Sequence, residues 1–380
     1  MKALIKPIVA AALALLAAAA QADITIGVSL PLTGPTSALG IPCQNGIKLW
    51  PTTVAGEKLN VIILDDATDP TIGIKNARRF ITEDKVDLIL GSAATPIAIA
   101  MSDVAAEGQT VQLALSPIVL PEGKGGWSFR LPQSTSVMAI PIIEHWKKTG
   151  VKTFGFLGYS DAYGESWLKD ITAQAEKAGI RSVAVERFAR PDTSVTGQAL
   201  KLVAANPDAI LIAASGSGAA MPHKGLVERG YAKGKIYQTH GAASFDLIRV
   251  GGADVEGSFV VSGPAVVAGK LPDSNASKAL GVKYINEYEK VYGKGMANQF
   301  AAHAFDVVIV LEKAVPLALK KGKPGTQAFR TGLKEALETM GRTPVSQGVL
   351  NYTATDHFGY TPETGVMLKI VAGEWQVVPN

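Results

Sequence analysis

The sequence predicts an α/β protein built from two doubly wound lobes, each with a central parallel sheet. Short apolar runs bounded by glycine or proline alternate with segments of helical periodicity along most of the chain. This alternation occurs twice in tandem, which indicates two parallel sheets with helices on both faces. The length of 380 residues also suits two domains of ~100–200 residues each.

The first unit opens with a strand and repeats the strand–helix order. Val86–Leu90 is a short, mostly apolar run bounded by glycine, as expected for a strand buried on both faces. Apolar residues at 74, 77, 80 and 81 lie on one face of a helix. The predicted strands are Ile24–Leu30, Leu59–Asp65, Val86–Leu90 and Thr110–Leu115, and the predicted helices are Asn45–Trp50, Thr71–Asp84 and Ile97–Glu107.

The second unit follows the same order and leads into further helices. Its predicted strands are Thr153–Gly158, Ser182–Phe188, Ala209–Ala213 and Lys235–Thr239, with helices Val137–Thr149, Gly164–Ala178, Thr196–Ala205 and Ala220–Arg229. A strand over Gly257–Pro264, helices over Ser277–Tyr292 and Asn298–Lys320, and an alternating β tail from Val349 to Val378 come last. If the late helices return to the first unit, the lobes are hinged and the cleft between them is the natural ligand site.

The first 22 residues have the features of a secretory signal peptide. Lys2 and Lys6 precede an apolar stretch over Ile8–Ala20, and Ala20-Gln21-Ala22 forms an A-x-A cleavage site. The apolar stretch is short for a membrane span, so an uncleaved anchor is the weaker alternative. We therefore expect an exported, periplasmic protein without stable membrane insertion.

Charge and cysteine usage exclude several functions. Removing Lys2 and Lys6 with the leader lowers the formal net charge of +4 by two. A nearly neutral chain without a basic run predicts no binding to nucleic acid or to an anionic membrane. The single cysteine, Cys43, excludes an internal disulfide framework.

The junction VDLILGSAATP, residues 86–96, is the first candidate site. Thr95 and Pro96 are typical of an N-cap and a first helical position after a strand. A helix N-terminus presents free N–H groups and the positive end of its dipole, which suit a ligand carboxylate. An ordinary strand–helix turn is the alternative.

Several ordered segments together carry a resemblance to a known family. They are ITIGVSLPLTGPTSALG (24–40), DDATDPTIGIKNARRFITEDKVDLILGS (65–92), LSPI (115–118), YSDAYGESW (159–167), DAILIAASGSGAAM (208–221) and TDHFGYTP (355–362). In this order the chain resembles a periplasmic solute-binding protein of the ABC-transporter class, of the branched-chain amino acid (Leu/Ile/Val)-binding type.

The resemblance implies a type I Venus-flytrap fold with three crossovers between the lobes. We expect these near Leu131–Ser136, Ser262–Pro264 and Val345–Gly348. Lobe one would be residues 23–139 plus 265–345, and lobe two 140–264 plus 346–380. The resemblance also implies a monomer that hands a small-molecule ligand to ABC permease and ATPase subunits, with no cofactor, metal or catalytic residue.

The same resemblance assigns the ligand-binding positions. These are Leu39, Thr95, Ile118 and Leu120 in lobe one, and Tyr163, Ser215 or Ser217, and His240 in lobe two. Thr95 would bind the ligand carboxylate. His240 replaces the glutamate that pairs with the ligand ammonium in leucine-binding relatives, and a histidine is a poor ammonium partner. Together with apolar Leu39, Ile118 and Leu120, this departure favours a hydrophobic or aromatic carboxylic acid.

Two other functional classes stay open from the sequence. Clustered carboxylates at Asp65, Asp66 and Asp69, and Asp161 beside Tyr163, are compatible with an enzyme. However, the chain has no nucleophile elbow, Walker loop or zinc-ligand spacing. A binding protein that reports its ligand to a receptor or regulator is the nearer alternative.

Overall fold

The computed structural model describes residues 23–379 and places them in two α/β lobes. The predicted signal peptide, residues 1–22, lies outside the described residues. Each lobe is organised around a mostly parallel sheet, which confirms the predicted fold class. Within residues 23–379, no helix is both long and apolar enough to cross a membrane.

The sheet of lobe one has six strands in the order β2-β3-β1-β4-β5-β6. The strands are parallel except for the short β2, which is antiparallel to β3. Helices that connect these strands along the chain pack against the sheet. The elements are β1 (Ile24–Leu30), α1 (Ser37–Ile47), β2 (Thr53–Val54), β3 (Glu57–Asp65), α2 (Pro70–Thr82), β4 (Leu88–Gly91), α3 (Thr95–Glu107), β5 (Val111–Ala114) and β6 (Ser128–Arg130).

The sheet of lobe two has seven strands in the order β15-β14-β11-β10-β9-β7-β8. Its first five strands in the chain are parallel, and β14 and β15 add an antiparallel edge. The elements are α4 (Thr135–Thr149), β7 (Thr153–Tyr159), α5 (Ala162–Lys177), β8 (Arg181–Phe188), α6 (Thr196–Ala205), β9 (Ala209–Ala213), α7 (Ala220–Val227), β10 (Ile236–Gln238), α8 (Phe245–Gly251), β11 (Phe259–Ser262), β14 (Val366–Val371) and β15 (Glu374–Val377).

The late helices return to lobe one and complete its core. These elements are α9 (Lys278–Tyr292), α10 (Gln299–Ala318), α11 (Gln327–Thr339) and the hairpin of β12 (Thr343–Val345) with β13 (Gly348–Leu350). Helix α10 is buried along most of its length. Its apolar residues share one cluster with strands β1, β4 and β5. This packing fixes the position of α10 in lobe one.

Two of the expected lobe boundaries are wrong in detail. The boundary after residue 139 falls inside α4, and Met138 and Ala139 pack in the core of lobe two. The third crossover does not occur over Val345–Gly348, because that segment forms the β12–β13 hairpin on lobe one. Tyr352 and Tyr360 still pack in the core of lobe one, so residues 346–360 belong there. The chain returns to lobe two before Val366, where β14 begins.

Candidate functional site

A small cavity lies between the lobes. Its walls come from strand ends, helix starts and loops of both lobes. Lobe one and the first crossover contribute Leu39, Ala93, Thr95, Leu115, Ser116, Pro117, Pro132, Gln299, Phe300 and His303, and lobe two contributes Tyr163, Arg190, Ser215, His240 and Gly241.

Five of the eight residues expected to bind ligand line this cavity, namely Leu39, Thr95, Tyr163, Ser215 and His240. The structure places the other three elsewhere. Ile118 is fully buried in an apolar cluster with Ala98 and Ala114. Leu120 lines a separate surface pocket, and Ser217 lies in a short 3₁₀ turn outside the cavity wall. The loop after β5 turns Ile118 and Leu120 away from the cleft, while Leu115 and Pro117 of the same loop line the cavity, and the sequence pattern does not reveal this difference.

Thr95 lies at the start of α3, in the turn that follows strand β4. The predicted N-cap assignment is wrong by one residue, since Ala94 occupies the N-cap with extended backbone and Thr95 is the first helical residue. The Thr95 side chain is therefore not used to cap its own helix and is 3 % exposed at the cavity wall. Pro96 has no N–H and the Ile97 N–H donates to the Ala94 carbonyl oxygen at 3.1 Å, so the Thr95 N–H is the first-turn donor left for a ligand.

The turn before Thr95 is held by a buried polar network. The Ser92 hydroxyl donates to Asp66 Oδ2 at 2.7 Å, and the Ser116 hydroxyl donates to the Ser92 carbonyl oxygen at 3.2 Å. Burial raises the pKa of the Asp66 carboxyl to about 6, although hydrogen bonds from Ser92 and Thr68 oppose the shift. The loops that follow β4 and β5 are thus tied together beside the cavity. Asp66 has a structural role here.

Arg190 is a cavity residue that the sequence analysis missed. Its Nε lies 2.5 Å from Asp161 Oδ2, and its Nη1 donates to Ser215 Oγ at 3.1 Å. The guanidinium carbon lies 4.1 Å from the ring centroid of Tyr159. The guanidinium is thereby fixed in orientation and has further N–H groups for an anion. The sequence signal that could have found Arg190 is its position just after the parallel strand β8, at the sheet edge where α/β proteins bind ligands.

Tyr163 presents its ring to the cavity, while its hydroxyl forms hydrogen bonds within the protein. Its hydroxyl lies 2.9 Å from Thr239 Oγ1 and accepts from the Gly241 N–H at 3.1 Å. Burial raises the pKa of the Tyr163 phenol to about 12, so it remains neutral. These bonds tie the start of α5 to the turn that carries His240.

A cluster of uncharged polar side chains forms another part of the wall. His240, Gln299 and His303, hereafter the His–Gln cluster, are 2, 1 and 1 % exposed. The Gln299 amide donates to the His240 carbonyl oxygen across the cleft. Burial lowers the pKa of both imidazoles to about 3, and each therefore stays neutral at physiological pH. The sequence signal for Gln299 and His303, which the sequence analysis missed, is their i,i+4 spacing in the mostly apolar helix α10.

No acidic side chain lines the cavity among residues 23–379. The nearest carboxylate to Arg190, that of Asp161, is engaged by the guanidinium and by the N–H groups of Tyr163 and Gly164. A ligand ammonium would lack a counter-charge here, and burial of an unpaired charge is very costly. In the same part of the chain, no group of three or more histidine, cysteine, aspartate or glutamate side chains is arranged to hold a metal ion.

A family model described as periplasmic binding protein matches residues 23–369. The chain belongs to the periplasmic binding protein family. A Leu/Ile/Val-binding protein of Rhizobium johnstonii is 26 % identical over 378 residues, which cover 93 % of this chain and 95 % of the relative. This binding protein is therefore of the type I, branched-chain amino acid class, whose members bind solutes and are not enzymes.

Solved structures agree with this assignment. An extracellular ligand-binding receptor from Rhodopseudomonas palustris is 47 % identical, with a TM-score of 0.92, covering 94 % of this chain and 99 % of that one. A leucine-binding protein of Thermotoga maritima, 22 % identical, shares the fold with a TM-score of 0.80, covering 94 % and 98 % of the two chains. The fold thus stays constant while the sequences diverge widely.

Proposed function

We propose that this binding protein is the extracytoplasmic substrate-binding component of an ABC importer for a small hydrophobic or aromatic carboxylic acid. The observation that carries the proposal is the presence of Arg190, without any acidic side chain, in the cavity wall of the described chain. Such a wall favours an anion that has no ammonium group. The predicted leader would direct the chain to the periplasm, where it would deliver its ligand to the permease and ATPase subunits.

Both lobes offer donors to a carboxylate. Lobe two presents the guanidinium of Arg190, which suits a planar carboxylate because its N–H groups lie in one plane. Lobe one presents the hydroxyl of Thr95 and the N-terminus of α3, whose dipole also favours negative charge. An anion placed between them would stabilise the closed arrangement of the lobes.

The rest of the wall suits an apolar ligand body. Leu39, Leu115 and Phe300 supply aliphatic and aromatic surface, and Pro117 and Tyr163 add further apolar contact. Apolar groups give binding energy in proportion to the surface that they remove from water, roughly 25 cal/mol per Å². The combination of one cationic side chain and an apolar wall supports a hydrophobic or aromatic acid over a polar metabolite.

Isothermal titration with benzoate and with leucine tests the proposal on the intact mature chain. We expect benzoate-type acids to bind and leucine to bind at least tenfold more weakly, since the leucine ammonium would lose its hydration without an acidic partner. Replacement of Arg190 by methionine should weaken acid binding roughly 10–100-fold, from the loss of charge-assisted hydrogen bonds.

The matched control is Arg187→Met, because Arg187 pairs with Glu165 at the exposed surface, away from the cavity. This variant should bind the acid like the wild type. Melting curves of both variants separate loss of folding from loss of binding. Tight leucine binding with no response to aromatic acids would show that the proposed ligand class is wrong.

A further inference from the structure

The His–Gln cluster has hydrogen-bonding capacity that the protein itself does not use. Among the described residues, both ring nitrogens of His303, Nδ1 of His240 and Oε1 of Gln299 are buried without a hydrogen-bond partner. Buried polar side chains in native proteins are nearly always paired. Four unpaired atoms on three neighbouring side chains in one cavity wall therefore point to a ligand.

The chemistry of these atoms restricts the group that they can bind. Gln299 Oε1 only accepts, so it requires a donor. A neutral imidazole offers one donor and one acceptor. A second carboxylate would face the Gln299 oxygen without a cation, and an ammonium would be buried without an anion. A hydroxyl donates one hydrogen bond and accepts others, and it carries no charge.

We propose that His240, Gln299 and His303 form a subsite for a hydroxyl group of the ligand, so that the transported acid is a hydroxylated aromatic carboxylic acid. This inference rests on the proposed function, in which Arg190 and Thr95 bind the carboxylate. The hydroxyl subsite adds a second polar contact for the ligand in the same cavity, made by the turn after β10 and by helix α10.

The subsite draws on both lobes. His240 lies in a turn of lobe two after β10, while Gln299 and His303 lie one helical turn apart on α10 of lobe one. The Gln299 amide already reaches the His240 carbonyl oxygen across the cleft. A hydroxyl bound here would contact both lobes only when they are closed, and thus favours the closed state as well as selecting the ligand.

Calorimetric titration with matched acids tests the subsite. The pairs are benzoate with 4-hydroxybenzoate, and 3-phenylpropanoate with 3-(4-hydroxyphenyl)propanoate. We expect the hydroxylated acid to bind at least tenfold more tightly in one or both pairs. The acid without the hydroxyl leaves the buried polar atoms of the His–Gln cluster unpaired. In His303→Phe, which retains a ring but no nitrogen, this ratio should fall to near one while the unsubstituted acid still binds.

The possible results separate this inference from the proposed function. Equal affinities within both pairs would overturn the hydroxyl subsite and leave the carboxylate proposal standing. A hydroxyl preference that persists in His303→Phe would also overturn the subsite. Binding of leucine alone would overturn both. If His303→Phe does not fold, Gln299→Leu gives the same readout, and His303→Gln should partly restore the preference.

Discussion

At Arg190, three interactions fix one guanidinium at the edge of the cavity. Asp161, Ser215 and the ring of Tyr159 hold it in place. Asp161 also caps α5, so the same carboxylate orders a helix start and a cavity residue. The sequence could not reveal this role, because Arg190 lies in a loop and its partners are 25–31 positions away along the chain. Thr95, by contrast, was predictable from the local strand–helix pattern.

The buried carboxyl of Asp306 lies one turn beyond His303 on α10. It accepts hydrogen bonds from the N–H groups of Ser346 at 2.7 Å and Gln347 at 3.1 Å. Burial raises its pKa from 3.8 to about 7, against the effect of these bonds. Asp306 thus anchors the β12–β13 hairpin to α10 beside the site.

The pKa of Asp306 predicts a pH-dependent stability difference. Because the folded chain holds this proton up to about pH 7 and the unfolded chain releases it near pH ~4, the contribution of Asp306 to stability falls as pH rises through this window. Urea unfolding should show that the free energy of unfolding of the wild type falls by about 2–4 kcal/mol between pH 4.5 and 8, relative to that of Asp306→Asn. A difference that is constant with pH would contradict the assigned titration.

Helices α1 and α11 show what the sequence pattern of single elements misses, and two strands show what it predicts. The helix expected around Asn45–Trp50 begins eight residues earlier, at Ser37, and ends at Ile47. Helix α11 was not predicted, although Phe329, Leu333 and Leu337 have helical spacing and are buried. The strands Ile24–Leu30 and Ala209–Ala213 match the expected bounds.

The contact between α1 and α10 depends on Gly46. A Cβ at this position would lie 2.5 Å from the Ala301 carbonyl oxygen and 3.1 Å from Ala304 Cβ. Gly46→Ala should therefore lower the free energy of unfolding by about 1–3 kcal/mol, because the helices must separate. Urea unfolding followed by circular dichroism measures this change.

Gly197→Ala is the matched control for that substitution. Gly197 is also helical, in α6, and a Cβ there meets nothing within 4 Å. This variant should be unchanged or more stable by about 0.5–1 kcal/mol, because alanine favours the helix. Equal effects of the two substitutions would show that the α1–α10 contact is not tight at Gly46.

At the scale of the whole molecule, two lobes meet around a cavity whose polar groups come from both. The alternation of strands and helices was sufficient to predict both sheets. The crossovers were harder to place, because residues 346–360 pack on lobe one through Tyr352, whose hydroxyl donates to the Arg130 carbonyl oxygen at 2.6 Å. Contacts between residues more than 200 positions apart leave no local pattern in the sequence.

Closure of this cleft on an acid is the central claim. A ligand that contacts both lobes only in the closed form shifts the population toward that form. Small-angle scattering of the mature chain, with and without saturating 4-hydroxybenzoate, measures this shift directly, and Arg190→Met at the same acid concentration is the control. We expect the radius of gyration of the wild type to fall on addition of the acid and that of Arg190→Met to change less. An unchanged radius of the wild type, with binding verified by calorimetry in the same sample, would contradict the account.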